Sequence, residues 1–202
     1  MLMIALLVCT VIAGVFTGLF LDDLICPLQI DFANEYLLYL LVFIVGVDLG
    51  RNKEAWLTIM DMGIKILLAP LLVIFGTLTG AMVASLFLDI STAQTLAISA
   101  GFGWYSMSAV LLRTLDSTEI GAIAFLANLF RELLTIFFLP LIVRQFGRFP
   151  AMAPGGATSM DTTLPFVSRY AGKDVALIGF VSGVSLTLVS PFLISLLITM
   201  NI

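Results

Sequence analysis

The sequence has no histidine, only two cysteines, and little charge, with Asp, Glu, Lys and Arg making up 11% of its 202 residues. Without imidazole, a Ser-His-Asp triad and zinc sites built on histidine are excluded. Cys9 and Cys26 lie far apart, form no CxxC pair and read as two unpaired small residues. A net charge of −4 with no basic run lacks the electrostatic footprint of a nucleic-acid binder. Nothing in the pattern calls for a cofactor or a metal, and the reading is of a protein that is not an enzyme. Residues 1–20 lack a basic start and run into Leu21-Asp22-Asp23 rather than a small-residue cleavage site, so they read as a membrane helix and not a leader.

What the chain has in abundance is apolar surface. It is 61% hydrophobic, with a mean hydropathy of +1.17, whereas soluble domains carry about 25% charged residues. A soluble core of this length could not bury that much apolar area. The fold class expected is therefore an all-α integral membrane protein, one transmembrane domain over residues 1–202. Crossing the hydrocarbon takes about 20 apolar residues. Five stretches qualify, near 2–20, 36–50, 62–88, 119–143 and 174–200. Two others differ. Residues 92–113 carry Gly101 and Gly103 in their middle, and 150–170 carry three prolines, Gly155-Gly156 and Asp161. Broken segments at membrane depth persist only where protein or a water-filled cavity surrounds them, and they commonly form transporter binding sites.

Charge orients the chain. With both broken segments as hairpins that return to their own side, Arg51, Lys53, Lys65, Arg144, Arg148, Arg169 and Lys173 fall together, and Arg113 falls opposite with Asp22, Asp23, Asp31, Glu35, Asp89, Asp116 and Glu119. The basic side is expected in the cytoplasm. This puts the amino terminus inside and the carboxyl terminus outside a multi-pass plasma-membrane protein. If both segments cross instead, the basic residues still divide unequally, so hairpins are preferred and crossing stays open. Ser106-Met107 and Ser159-Met160 occupy matching places in the two segments, as an inverted repeat would place them.

Four charged side chains sit where lipid is expected: Glu132 and Arg131 within the fourth span, Asp161 in the second broken segment and Asp48 near the end of the second span. Intramembrane charges are costly and face the protein interior. Glu132 and Asp161 are read as binding residues, Arg131 as half of a structural ion pair, and Asp48 as a binding residue or a partner of Arg51 near the cytoplasmic edge. Asn128 lies one turn before Glu132, so the two share a face and offer acceptors to a cation. The runs Gly101-Phe102-Gly103 and Gly155-Gly156-Ala157-Thr158-Ser159 could begin half-helices whose free N–H groups suit a carboxylate; alternatively the glycines only allow close packing. Trp104-Tyr105 serves either as an interfacial anchor or as pathway lining, and Trp56 as an anchor.

The runs SAGFGWYSMSAVLL, FRELLTIFFLPLIVR and GGATSMDTTLPFVSRYAG resemble the lysine exporter family, and the likeness extends less sharply along the whole chain. More distantly the arrangement is similar to cation–proton antiporters and anion transporters, and to the larger subunit of holin-like transport proteins. The resemblance implies export of L-lysine and close analogues, with important acids at Glu132 in the REL motif and Asp161 in the TSMD motif. Two positions depart from it: Asn128 stands where the family often has aspartate, and Asp48 where an uncharged polar residue is expected. The chain also begins where such exporters already have about three helices. That leads to the expectation of a split transporter, completed by a small membrane partner and compatible with a homodimer. The function expected is outward transport of lysine in exchange for protons or another cation. The alternatives are a cation/proton antiporter without amino-acid substrate, or a holin-like or regulatory subunit.

Overall fold

The computed structural model describes residues 63–200 and, before them, only Ala13, Gly14, Phe16, Thr17, Val47 and Leu57, each helical. Apart from those few residues, the expected spans at 2–20 and 36–50 lie outside the described residues, as do Asp48, Trp56 and both cysteines. The chain divides into two compact units, Met1–Lys53 and Glu54–Ile202. In the second unit every regular element among the described residues is helical.

Three helices are long and apolar enough to cross a membrane: α1 (Leu68–Ser85), α4 (Thr118–Phe146) and α6 (Lys173–Thr199). They correspond to the expected stretches at 62–88, 119–143 and 174–200. The first is shorter than its apolar run, because Gly63 at φ +52 opens a 3₁₀ turn, Gly63–Leu67, ahead of it. Pro70 is tolerated because the first helical turn has no intrahelical acceptor for its N–H. α4 starts at Ser117, whose hydroxyl accepts from the Ile120 N–H at 3.2 Å, and stops at Gly147, φ +91. Large apolar side chains on these helices point outward, Phe75, Phe137 and Phe192 among them, as an apolar solvent permits.

Between the long helices the two Gly-broken segments each double back. The first runs as α2 (Thr92–Ser99), a turn through Gly101–Gly103, and α3 (Tyr105–Leu115). A reciprocal cap starts α2, with Gln94 N–H on the Ser91 hydroxyl (3.1 Å) and Ser91 N–H on the Gln94 carbonyl (3.0 Å). The same Gln94 amide donates to Asp116, just past α3, at 3.1 Å, which ties the segment's start to its end. The second segment comprises two 3₁₀ turns, Phe149–Met152 and Gly156–Met160, followed by α5 (Leu164–Ala171). Its ends also meet, where Arg148 pairs with Asp174 at 3.4 Å. The first segment closes beside the start of α4 and the second beside its end. The two therefore approach from opposite ends of α4, and their tips meet halfway.

At the meeting point the Ala157 N–H donates to the Phe102 carbonyl at 2.8 Å. Phe102 is fully buried at φ +50, and Gly103 (φ +97) and Gly156 (φ +60) flank the contact. A Cβ on Gly156 would overlap the Phe102 carbonyl oxygen, and one on Gly103 would come within 3.1 Å of the Gly155 carbonyl. α6 backs the crossing with small residues one turn apart. A Cβ on Gly183 would meet the Ala157 carbonyl at 2.7 Å, and one on Gly179 would meet Met152 at 3.2 Å. Gly156→Ala should therefore cost about 2–4 kcal/mol of stability, whereas Gly76→Ala, mid-helix with no described atom within 4 Å of the new methyl, should stay within about 1 kcal/mol of the parent. Thermal unfolding of the two purified variants in detergent checks the contrast.

Candidate functional site

Breaking two helices inside an apolar layer frees backbone groups that no water can satisfy. Side chains supply the partners. Asn128, almost fully buried on α4, places its amide nitrogen 2.9 Å from the Ile98 and Ala124 carbonyls and 3.2 Å from the Ser108 hydroxyl, and its oxygen accepts the Gly103 N–H at 2.7 Å. The Ser190 hydroxyl of α6 donates to the Ala100 carbonyl at 2.6 Å. In the second segment Thr158 donates to the Gly155 carbonyl at 2.9 Å and Ser159 to the Met152 carbonyl at 2.8 Å.

Arg131 lies behind the crossing. Its Nε donates to the Pro154 carbonyl at 2.9 Å, its terminal nitrogen reaches the Thr77 hydroxyl of α1 at 3.3 Å, and the guanidinium stands 6.0 Å from the Phe102 ring centroid. The ion pair expected for Arg131 does not form among the described residues. A carbonyl exposed by the break at Pro154 and a hydroxyl take the place of the carboxylate. Arg131 thus bridges both tips and α1.

The glycine runs also behave differently from a bare anion cradle. The N–H groups of Gly103, Gly156, Ala157 and Thr158 are taken by Asn128, Ala153, Phe102 and Gly155 respectively. Gly101 is required for fit, since its Cβ would lie 2.7 Å from the Asn128 amide and 2.8 Å from Ser108. Gly155 faces the Ser159 and Thr163 hydroxyls in the same way.

Two carboxyl groups are left over. Glu132 is only 8% exposed, and its Oε2 is buried with no hydrogen-bond partner. Asp161, half-buried at the end of the second 3₁₀ turn, accepts the Thr162 N–H at 2.6 Å and the Thr162 hydroxyl at 3.3 Å through Oδ1 alone. The two acids lie within electrostatic reach of each other and of Tyr105, and the Thr162 hydroxyl stands beside both. Tyr105 itself packs edge-on against Phe125, ring centroids 5.3 Å apart. Residues of α3, α4 and the second segment thus converge on one polar spot beside the crossing. No group of three or more metal-ligating residues occurs among the described residues.

Reading the sequence did not find Thr77, Ser108, Thr162 or Ser190. Ser190 had a usable signal, as a hydroxyl beside Pro191 in an otherwise apolar span. The others had none, because their partners are 20 or more residues away or depend on a local turn.

Three apolar spans, two interrupted segments meeting tip to tip, and a buried acid with an unpartnered oxygen beside the meeting point define a helical membrane protein. Residues 8–198 match the family described as lysine exporter LysO, and the chain belongs to that family. It is 37% identical to the lysine exporter LysO of Escherichia coli over 163 residues, 81% of this chain and 54% of that protein, so it spans about half of that relative's length. It is 35% identical to a putative lysine exporter of Haemophilus influenzae over 162 residues, 80% of this chain and 82% of the relative. No solved structure matches it.

Asn128 holds several backbone groups, whereas Glu132 has a buried oxygen that holds none, and stability should divide with them. Asn128→Ala, which leaves buried carbonyl groups and the Gly103 N–H unpaired, should cost about 1–3 kcal/mol. Glu132→Gln, which replaces an acid whose buried Oε2 has no partner, should leave the melting temperature equal or higher. Calorimetry of both variants in one detergent measures the difference.

Proposed function

We propose that this chain is a secondary-transporter subunit of the plasma membrane that exports L-lysine and close analogues, in exchange for protons or another cation. The observation that carries the reading is the buried, unpartnered Oε2 of Glu132 beside Asp161, at the crossing of two interrupted segments. A carboxyl group kept without a partner in an apolar layer costs stability. An ammonium group or a proton is what would occupy it. Glu132 and Asp161 would bind the cationic substrate and the coupling ion in turn, and competition for one pair of carboxylates couples the two flows without covalent chemistry. The names of the two relatives, a lysine exporter and a putative lysine exporter, support lysine as the cation.

Both segments are taken as re-entrant, entering from opposite faces, because each is tied end to end and the ties lie at opposite ends of α4. The face bearing Arg144, Arg148, Arg169 and Lys173 is taken as cytoplasmic. The second 3₁₀ turn and α5 carry Asp161 and Thr162, so rocking of this segment against α4 would open the acid pair to either side in turn.

Two measurements test this. In vesicles or cells loaded with labelled lysine, Glu132→Gln and Asp161→Asn should each reduce export at least about a hundredfold, the order expected when a buried charged contact is lost, while membrane insertion persists. Flux like that of the parent in both variants would exclude the mechanism. In a background with Cys9 and Cys26 replaced, Asp89→Cys should react with an impermeant thiol reagent from outside intact cells and Gln145→Cys should not. The reverse pattern would invert the orientation.

A further inference from the structure

α3 passes into α4 through only Asp116 and Ser117, and the two helices pack closely where Gly121 meets α3. A Cβ on Gly121 would lie 2.8 Å from both the Ala109 carbonyl and the Arg113 Cβ, so the stem of Arg113 is held against α4. Beside this contact lies an open groove of about 440 Å³, walled by Val110 and Arg113 of α3 and by Thr118, Ala122, Phe125 and Leu126 of α4. Val110 and Leu126 are more than half exposed, and Arg113 and Ala122 are exposed as well.

The groove has two unlike ends. Arg113 and Thr118 stand at its mouth, and every other lining residue is apolar. Arg113 is the basic residue that the charge pattern leaves among acids, yet it makes no ion pair among the described residues. Its neighbour Asp116 takes the Gln94 amide instead. Glu119, exposed and also without an ion pair among the described residues, heads the flank of α4 that Ala122 and Leu126 continue at one and two turns. α4 has 29 residues and is about 43 Å long, against about 30 Å of hydrocarbon. Its first turn therefore reaches the headgroup layer, while Leu126, about 12 Å further along, lies among the acyl chains.

The occupant that fits has an anion and a cation at headgroup level and an apolar tail below them. A docked helix would meet the bulky Val110, Phe125 and Leu126 side chains, whereas helices in lipid associate through small residues. We propose that this groove is a binding site for a phospholipid with a primary ammonium in its headgroup. Its phosphate engages Arg113, whose guanidinium fork matches phosphate oxygens, its ammonium engages Glu119, and one acyl chain lies along Val110, Ala122 and Leu126. The site is separate from the acid pair at the crossing and does not depend on what is transported.

The test strips the purified full chain, with any partner that co-purifies, of lipid in mild detergent. It is then titrated with phosphatidylethanolamine, phosphatidylcholine or phosphatidylglycerol, and native mass spectrometry counts the lipid retained. Phosphatidylethanolamine should be held at least about threefold more strongly than the other two, the worth of an exposed ion pair. Arg113→Ala should weaken its retention by about the same factor, and Arg113→Lys should restore most of it. Glu119→Gln should bring phosphatidylethanolamine down to the level of phosphatidylcholine. Ala122→Phe fills the groove below the mouth from an exposed position and should weaken all three lipids. Equal retention of the three by the parent would overturn the headgroup assignment. Retention unchanged in both Arg113→Ala and Ala122→Phe would overturn the site. A dimer that Ala122→Phe splits without changing lipid retention would give the groove to a second copy of the chain and overturn the lipid as its occupant.

Discussion

The structure depends on one contact, the hydrogen bond from the Ala157 N–H to the Phe102 carbonyl where two interrupted segments meet. Each break strips several backbone groups of their helical partners in a layer that supplies no water. Pairing one tip against the other satisfies two of them at once. It also brings the backbones so close that a Cβ at Gly156 would overlap the Phe102 carbonyl and one at Gly103 would crowd the Gly155 carbonyl, and Gly183 of α6 leaves room behind them. Asn128, Arg131, Thr158, Ser159 and Ser190 then take up other freed groups. The polar residues of this apolar chain serve mostly to keep the crossing satisfied.

Glu132 stands apart from these residues. Asn128 and Glu132 lie one turn apart on the same face of α4, yet the first is engaged on every side and the second has a buried oxygen with nothing to bind. A well-packed apolar residue at this position would make a more stable protein. The acid makes physical sense as a group reserved for something that comes and goes. Asp161 is similar in kind, bound only to its neighbour Thr162 and carried on the segment least anchored by regular helix.

The arrangement also ties the two segments to each other and to the spans. Arg131 touches α1 through Thr77, the second tip through Pro154 and the ring of Phe102 in the first. Asn128 and Ser190 anchor the first tip to α4 and α6. A displacement at either tip therefore strains the other and all three spans. Interlocked packing of this kind moves between discrete arrangements rather than bending gradually, which suits the alternating access proposed for it.

The membrane class, the three apolar runs that carry the described spans and the glycine-rich stretches between them were legible in the residues alone. Apolar run length and Gly-Pro punctuation are local properties that the bilayer selects directly. Glu132, Asp161 and Arg131 were also visible, since a charge within an apolar run stands out without any fold. What each polar residue does emerged only once the chain was folded. That Asn128 grips a loop 25 residues away, that Arg131 meets carbonyl and hydroxyl oxygens instead of a carboxylate, and that the glycine runs spend their N–H groups on each other all follow from where the chain crosses itself. A donor is free or taken only relative to an acceptor that folding brings within about 3 Å, and in this protein those acceptors come from the opposite segment and from α4 and α6, at distances along the chain that no local pattern encodes.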